Sequence, residues 1–165
     1  MTDRTDLAAA LVSREALYLD QQEWEKWLSL YLEDSEFWMP TWRAENELTD
    51  DPATELSFMF LRGRKKLEER VFRVNSGRSA ASIPLPRTSH VLGSASVVLG
   101  DGGARATVHA PFVCHVYHQK DASLASYAGR YEHDLLWAND QFHIRRKKII
   151  VINDRLQSQV DFFYV

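Results

Sequence analysis

The second half of the chain alternates apolar and polar residues, the period-two pattern that is typical of β-strands. The alternation runs from Thr88 to Asn153, with turn residues at 100–103 and 138–140. We therefore predict four long strands, over residues 88–99, 104–119, 122–137 and 141–153. Alternation assigns His90, Leu92, Ser94, Ser96 and Val98 to one face of the first strand, and Ala106, Val108, Ala110, Phe112, Cys114 and Val116 to one face of the second. Such a set of long antiparallel strands has to curl or be covered.

The start of the chain has the helical period instead. A first helix is predicted from an N-cap at Asp6 to about Asp20. A second helix begins near Gln22, because four apolar residues follow at the i, i+3, i+4 and i+7 positions of one helical face. These residues are Trp24, Trp27, Leu28 and Tyr31. Apolar residues at spacings of four and three predict a third, short helix from Lys65 to about Arg73.

The segments between these elements are less regular. Residues 36–40 are aromatic and end in proline, which suits a short strand. Residues 41–54 are polar and rich in turn formers, so we expect an exposed loop, and the type of the apolar run 55–61 stays open. Residues 76–87 contain small residues and two prolines, which predicts an irregular crossing loop. The final segment, 159–165, either adds an edge strand or docks as a tail.

Helices followed by long antiparallel strands indicate the α+β class, with helices packed on one face of a sheet. No repeat, low-complexity stretch or linker divides the sequence, so we expect residues 1–165 to form a single domain. The net charge of −3 argues against nucleic acid as a partner. No segment approaches the roughly 20 apolar residues that span a bilayer, and the N-terminus lacks a signal-peptide core. We therefore expect a cytoplasmic protein with no membrane partner.

The ligand chemistry of the chain argues against a metal site. A Rieske cluster needs two cysteines and two histidines, and the only cysteine is Cys114. A mononuclear iron needs two histidines and a carboxylate around one point. His109 and His115 share a strand face but lie about 20 Å apart along it, and His118 faces the other way. We expect no metal and no cofactor in this chain, and a buried, inert thiol at Cys114.

Several blocks of the sequence resemble one known family. They are the segment from Leu19 to Pro40 with its Leu-Asp, Trp-x-x-Trp-Leu and Glu-Phe-Trp-Met-Pro elements, then Glu69-Arg70-Val71-Phe72-Arg73, Pro86-Arg87-Thr88-Ser89-His90, and Ile152-Asn153-Asp154-Arg155 with the aromatic tail. Each block alone is unspecific, but their order and co-occurrence from Leu17 to Tyr164 are similar to the β subunits of bacterial aromatic-ring-hydroxylating dioxygenases. The Phe-Trp-Met-Pro-x-Trp form resembles the branch that acts on benzoate, anthranilate or salicylate.

The resemblance implies a nuclear-transport-factor-2-like (cystatin-like) cone, in which N-terminal helices pack on a curved antiparallel sheet. It also implies an α3β3 hexamer in an NAD(P)H-dependent oxygenase, in which this chain is the non-catalytic structural subunit. The large α subunit would carry the Rieske [2Fe-2S] cluster and the mononuclear Fe(II), and a ferredoxin or reductase would act on that subunit. Because the cone fold also hosts enzymes, a stand-alone isomerase or dehydratase of a small hydrophobic substrate is the alternative, with Tyr18, Tyr31, Asp34 or His90 as its candidate residues.

If the role is assembly, aromatic and arginine side chains are the expected contact residues, since these concentrate binding energy at interfaces. The candidates for a subunit interface are Trp38, Pro40, Trp42, Arg70, Arg73, Arg87 and His90. For Trp38 to Trp42, closing the core of the cone is an equally good interpretation. For the arginines, the alternative is a solvated helix face or an internal clamp of a loop.

Overall fold

The computed structural model describes residues 2–77, 83–156 and 158–165. Within these ranges it contains three helices, α1 (Arg4–Asp20), α2 (Trp24–Ser29) and α3 (Arg64–Asn75). Its strands are β1 (Tyr31–Pro40), β2 (Trp42–Ala44), β3 (Glu47–Leu48), β4 (Ser57–Arg62), β5 (Arg87–Leu92), β6 (Ser96–Gly100), β7 (Arg105–His118), β8 (Ser123–Ala138) and β9 (Gln141–Val151). Single turns of 3-10 helix lie at Asp101–Gly103 and Phe162–Tyr164. No helix in the described ranges is long and apolar enough to cross a membrane.

One large sheet has the order β4-β1-β9-β8-β7-β5, and β6 pairs with β7 beside β5. Neighbouring strands are antiparallel, as predicted, except that β1 runs parallel to β9. The first strand of the chain, β1, therefore lies beside the last, β9. Helix α1 packs on the inner face of the sheet, where its apolar side is buried.

The predicted helices form, but their ends differ from the prediction. Asp3 rather than Asp6 caps α1, accepting a hydrogen bond from the Thr5 amide at 3.3 Å. Helix α2 has only six residues, because the chain becomes β1 at Tyr31. The Leu30 carbonyl accepts a hydrogen bond from the Ile144 amide at 2.7 Å, and this sheet bond replaces another helical turn. The third helix is confirmed as α3.

The first predicted strand, 88–99, is two strands. β5 and β6 both pair with β7, but three residues separate Leu92 from Ser96 where two separate their partners Phe112 and His109. This extra residue reverses the alternation, as in a β-bulge. The prediction that His90 to Val98 share one face is therefore wrong: His90 faces inward, whereas Val98 faces outward and is 63% exposed.

The other three long strands are confirmed as β7, β8 and β9. The predicted buried face of β7, from Ala106 to Val116, is inside. The supposed loop 41–54 contains the short hairpin β2–β3, and the open run 55–61 becomes β4. Part of the predicted crossing loop, residues 78–82, lies outside the described residues.

The final segment docks as a tail rather than adding a strand. Phe162, Phe163 and Val165 are at most 1% exposed. The rings of Trp27 and Phe162 stack with their centroids 5.0 Å apart. The tail therefore fills space between the helices and the sheet.

Candidate functional site

A cluster of ionisable side chains lies in the closed interior between α1 and the sheet. Glu15 of α1, His133 of β8 and Lys147 of β9 are each 0% exposed. His133 and Lys147 are directly opposite each other in the β8–β9 pairing. Because both belong to the inward-facing alternation of their strands, they point at the helix above them. The fold thus brings one acid and two bases together in its core.

Glu15 is the centre of this cluster. Its Oε1 accepts hydrogen bonds from Trp27 Nε1 at 2.9 Å, Tyr31 Oη at 2.8 Å and Lys147 Nζ at 2.9 Å. Its Oε2 lies 3.5 Å from His133 Nε2. Lys147 also donates to the Val165 backbone oxygen at 3.2 Å, so the cluster ties the tail to α1.

Burial and pairing have opposite effects on the charges of the cluster. Burial alone would raise the pKa of Glu15, but the Lys147 charge, the nearby His133 imidazole and the hydrogen bond from Trp27 outweigh it and lower the pKa. Burial lowers the pKa of Lys147 and of His133, in each case against the attraction of Glu15. We therefore describe the cluster as a Glu15–Lys147 ion pair beside a neutral His133.

A second polar pair lies where α1 meets β5. The Asp20 carboxylate accepts hydrogen bonds from Thr88 Oγ1 and the His90 amide, both at 2.8 Å, and lies 2.6 Å from His90 Nδ1. Burial raises the pKa of Asp20, but the His90 and Thr88 hydrogen bonds lower it overall. The His90 side chain is 0% exposed, and its Nε2 has no hydrogen-bond partner among the described residues. This pair anchors the end of α1 to β5.

The open clefts lie on the outside of the molecule, away from both polar groups. One of about 590 Å³ is lined by α2 and α3, and another of about 830 Å³ by β4, Arg70 and the segment before the tail. A third, of about 610 Å³, lies beside Trp42. Asp20, His90 and the Glu15 cluster line none of these three clefts.

The donor atoms of the chain do not fit an iron site. Burial raises the pKa of the Cys114 thiol to about 12, so the buried thiol is protonated and unreactive. Within the described ranges, no group of three His, Cys, Asp or Glu side chains could hold a metal ion. His109 and His115 share one strand face, as predicted; this is the outer face, where they lie near Glu132 and Ser126 respectively.

Comparison with known proteins gives a family for this arrangement. Residues 14–158 match the family model described as "Ring hydroxylating beta subunit". The chain belongs to this family. It is 31% identical to the toluate 1,2-dioxygenase subunit beta of Pseudomonas putida over 165 residues, which is 100% of both chains.

Solved structures agree with the family and with the predicted fold. The β subunit of benzoate 1,2-dioxygenase from Burkholderia mallei matches with a TM-score of 0.75 at 30% identity, over 94% of this chain and 93% of that one. An NTF2-like protein with a cystatin-like fold from Novosphingobium aromaticivorans matches with a TM-score of 0.62 at 14% identity, over 91% and 82% of the two chains. The nuclear-transport-factor-2-like cone is therefore confirmed.

Three of the predicted interface residues of this β-subunit family member have internal roles. Trp38 is 4% exposed and donates from Nε1 to Ser57 Oγ at 3.0 Å, and Pro40 is buried at the end of β1. The imidazole of His90 is closed off by Asp20. All three side chains are buried within this subunit, Trp38 on the outer face of the sheet.

The other four candidates reach the surface. Trp42 is half-buried and donates from Nε1 to the Val151 carbonyl at 2.9 Å. Arg70 and Arg73 lie beside Asp161, whose pKa is raised by burial in spite of the two nearby arginines. Arg87 is exposed at the start of β5. The structure does not bring these four residues into one cluster.

The buried cluster itself was missed in the sequence. Glu15 interrupts the apolar inner face of α1 between Leu11 and Leu19, and Lys147 interrupts that of β9 between Ile144 and Ile149. A charge at such a position is a signal, because a lone buried charge is costly and has to be paired. Sequence alone does not reveal that Glu15 pairs with Lys147, 132 residues away, because only the topology of the fold brings the two together.

Proposed function

We propose that this chain is the non-catalytic small subunit of a Rieske non-haem iron oxygenase that hydroxylates an aromatic carboxylate such as benzoate, anthranilate or salicylate. Membership of the family supports the subunit role, and the names of the toluate and benzoate dioxygenase relatives support the substrate class. The complex uses NAD(P)H and acts in the cytoplasm, where NAD(P)H is available.

The observation that carries the non-catalytic role is the filled interior of the cone. The side chains that resemble acid–base groups, Glu15, His133 and Lys147, are bound to one another and to the tail. Phe162 and Phe163 occupy the remaining space against Trp24 and Trp27. General acid–base chemistry needs a substrate atom within hydrogen-bond reach of the catalytic group. Because the packing around this cluster leaves no such access, we assign the cluster a structural role.

The redox groups belong to the partner in this proposal. A [2Fe-2S] Rieske cluster and a mononuclear Fe(II) need thiolate, imidazole and carboxylate donors, and the part of the chain that the structure describes does not bring such a set together. In this proposal they lie on the large α subunit. Ferredoxin or reductase delivers electrons to that subunit. The small subunit contributes assembly, as one of three β chains in an α3β3 hexamer.

Trp42, Arg70, Arg73 and Arg87 remain the candidates for direct subunit contacts. Their indole and guanidinium groups suit the core of a protein interface. Trp38, Pro40 and His90 contribute indirectly, because they hold in place the strands that carry the subunit contacts. Arg87→Ala should reduce the yield of hexamer in size-exclusion chromatography, without changing the iron content of the large subunit.

The stand-alone isomerase or dehydratase has one observation in its favour, the Asp20–His90 pair. An imidazole oriented by a carboxylate is a common general base. Its free Nε2 is, however, enclosed by the core. Of the other candidate residues, Tyr31 is bonded to Glu15, and Asp34 is exposed on the outer part of β1.

The proposal is tested by purifying this chain alone, a large subunit from the same organism, and the two together. We expect iron and acid-labile sulfide only in preparations that contain the large subunit, and benzoate or anthranilate hydroxylation only there. Stoichiometric iron in this chain alone, or an isomerase or dehydratase turnover lost in His90→Phe, would contradict it.

A further inference from the structure

The outer face of the sheet, which points away from α1, is covered on one half by the chain itself. The pairing register places Trp38 of β1 and Ile150 of β9 on this outer face, yet they are only 4% and 1% exposed. Lys148 Nζ lies 4.7 Å from the Trp38 ring centroid. Trp42 reaches across to the Val151 carbonyl. This half of the outer face is therefore closed.

The other half of the outer face is open. It consists of the outward residues of β5, of β7 from Pro111 to Tyr117 and of β8 from Leu124 to Arg130, and we call it the open sheet face. Val91 in β5 is 54% exposed and Leu124 in β8 is 64% exposed. Exposed apolar side chains on one surface are typical of a binding site rather than of a surface that contacts only solvent.

The open sheet face is also cationic. Arg87 and Arg130 are exposed, and neither forms an ion pair with any described residue. None of the outward residues of this face is Asp or Glu, although the whole chain has a net charge of −3. Further along the same strands the carboxylates are matched by bases, with Asp134 Oδ2 3.0 Å from Arg146 and Glu132 Oε2 3.5 Å from Lys148. The positive side chains of the sheet are thus paired with carboxylates outside the open sheet face but not on it.

We propose that the open sheet face docks on an acidic, partly apolar surface of the oxygenase's large subunit, with Arg87 and Arg130 pairing with its carboxylates. This inference rests on the proposed function and adds the surface and the chemistry of the contact. Arginine pairs with carboxylates through two parallel hydrogen bonds, which gives such a contact its specificity. The intervening apolar residues supply the desolvated core of the interface.

A second copy of this chain fits the face less well. A two-fold contact would bring two sets of arginines together, and like charges oppose association. A head-to-tail contact would pair the arginines with exposed carboxylates of another copy, such as Asp34 and Glu45, and the experiment distinguishes this outcome, but membership of a family of β subunits supplies a large subunit as partner. The large subunit is therefore the occupant to test.

The experiment co-expresses this chain with a large subunit from the same organism and measures the complex by native mass spectrometry over a series of salt concentrations. The test variants are the double charge reversal Arg87→Glu/Arg130→Glu and, independently, Leu124→Asp. Matched controls are Arg14→Glu and Leu17→Asp, because both residues are exposed on α1 and Leu17 is 51% exposed. Circular dichroism melts establish that each variant is folded.

We expect each test variant to weaken the complex at least about tenfold, since arginine and apolar positions at interface centres have effects of this size. The controls should assemble like the wild type, and only the wild type and controls should lose complex steeply with salt. Equal assembly of all variants would overturn the docking face while leaving the proposed function intact. A variant that binds the large subunit normally but loses contacts between copies would assign the face to a second copy. A wild-type chain that binds no Rieske-containing large subunit would overturn the proposed function itself.

Discussion

Oε1 of Glu15 accepts hydrogen bonds from an indole, a phenol and an ammonium group, each on a different element. Such a network is stabilising only while every member is present, because removal of one partner leaves a buried charge without compensation. At the scale of single residues, this cluster rather than any surface group holds α1, β9 and the tail together.

Replacement of Glu15 should therefore be costly. Glu15→Gln keeps the volume but leaves Lys147 buried beside a neutral amide, and we expect the free energy of unfolding to fall by about 3–5 kcal/mol. Urea denaturation followed by circular dichroism measures this. The control is Glu23→Gln, because Glu23 pairs with Lys26 on the surface at 3.2 Å and should contribute less than about 1 kcal/mol. An equal effect of the two changes would disprove the role of the cluster.

The same residues predict how stability depends on pH. The folded pKa of His133 is lowered from 6.5, so on acidification the unfolded chain takes up a proton that the folded chain does not. The pKa of Glu15 is lowered from 4.5, which gives a second loss of stability below that pH. The free energy of unfolding should fall as the pH decreases through these two windows. His133→Gln should remove the upper window and keep the lower one. A flat profile from pH 7 to 5 in the wild type would count against the neutral buried imidazole.

At the scale of elements, β7 and β8 were predicted well, because one buried face dictates their period, and β9 was also predicted although an extra residue at Arg145 interrupts its alternation. Prediction failed where a long-range contact overrides the local pattern. Tyr31 continues the helical spacing of Trp24 and Trp27, yet the sheet bond at Leu30 ends the helix. The extra residue between Leu92 and Ser96 reverses the faces of β5 and β6, and nothing local in the alternation reveals it.

A substitution at Gly129 tests the pairing of β8 with β9. A Cβ placed on Gly129 would collide with the carbonyl oxygen of Ile150, which is backbone and cannot move aside alone. Gly129→Ala should therefore lower the free energy of unfolding by roughly 1–3 kcal/mol, the usual range for overpacking. Gly100→Ala is the control, since its Cβ would meet only Arg105 Cβ at 4.0 Å. Thermal melts that rank the two variants alike would argue against this strand register.

The tail makes a second prediction about an element. Phe162 is 0% exposed against Trp24 and Trp27, so Phe162→Ala should cost about 3–5 kcal/mol of stability. Phe72→Ala, at a ring that is 60% exposed on α3, should cost clearly less. Guanidinium unfolding of both variants measures the difference. A small loss for Phe162→Ala would mean that the tail does not fill the interior.

At the scale of the whole molecule, the family and the cone fold were both predictable from the sequence, through the order of its motifs. The contact surface was not. Of the interface candidates, Trp38 and Pro40 are buried on β1, which lies between two other strands, and Asp20 holds the imidazole of His90. Arg130 emerged as a surface cation only when the register placed it beside Pro111 and Ile150.

The central claim, that this chain supports an oxygenase without taking part in its chemistry, is tested most directly by turnover per assembled complex. His90→Phe and His133→Gln remove the two buried imidazoles that resemble catalytic bases. With benzoate as the probe substrate, we predict that both variants give less hexamer but hydroxylate at the wild-type rate per iron-loaded complex. A rate that falls tenfold or more in intact, fully iron-loaded hexamers would contradict the account.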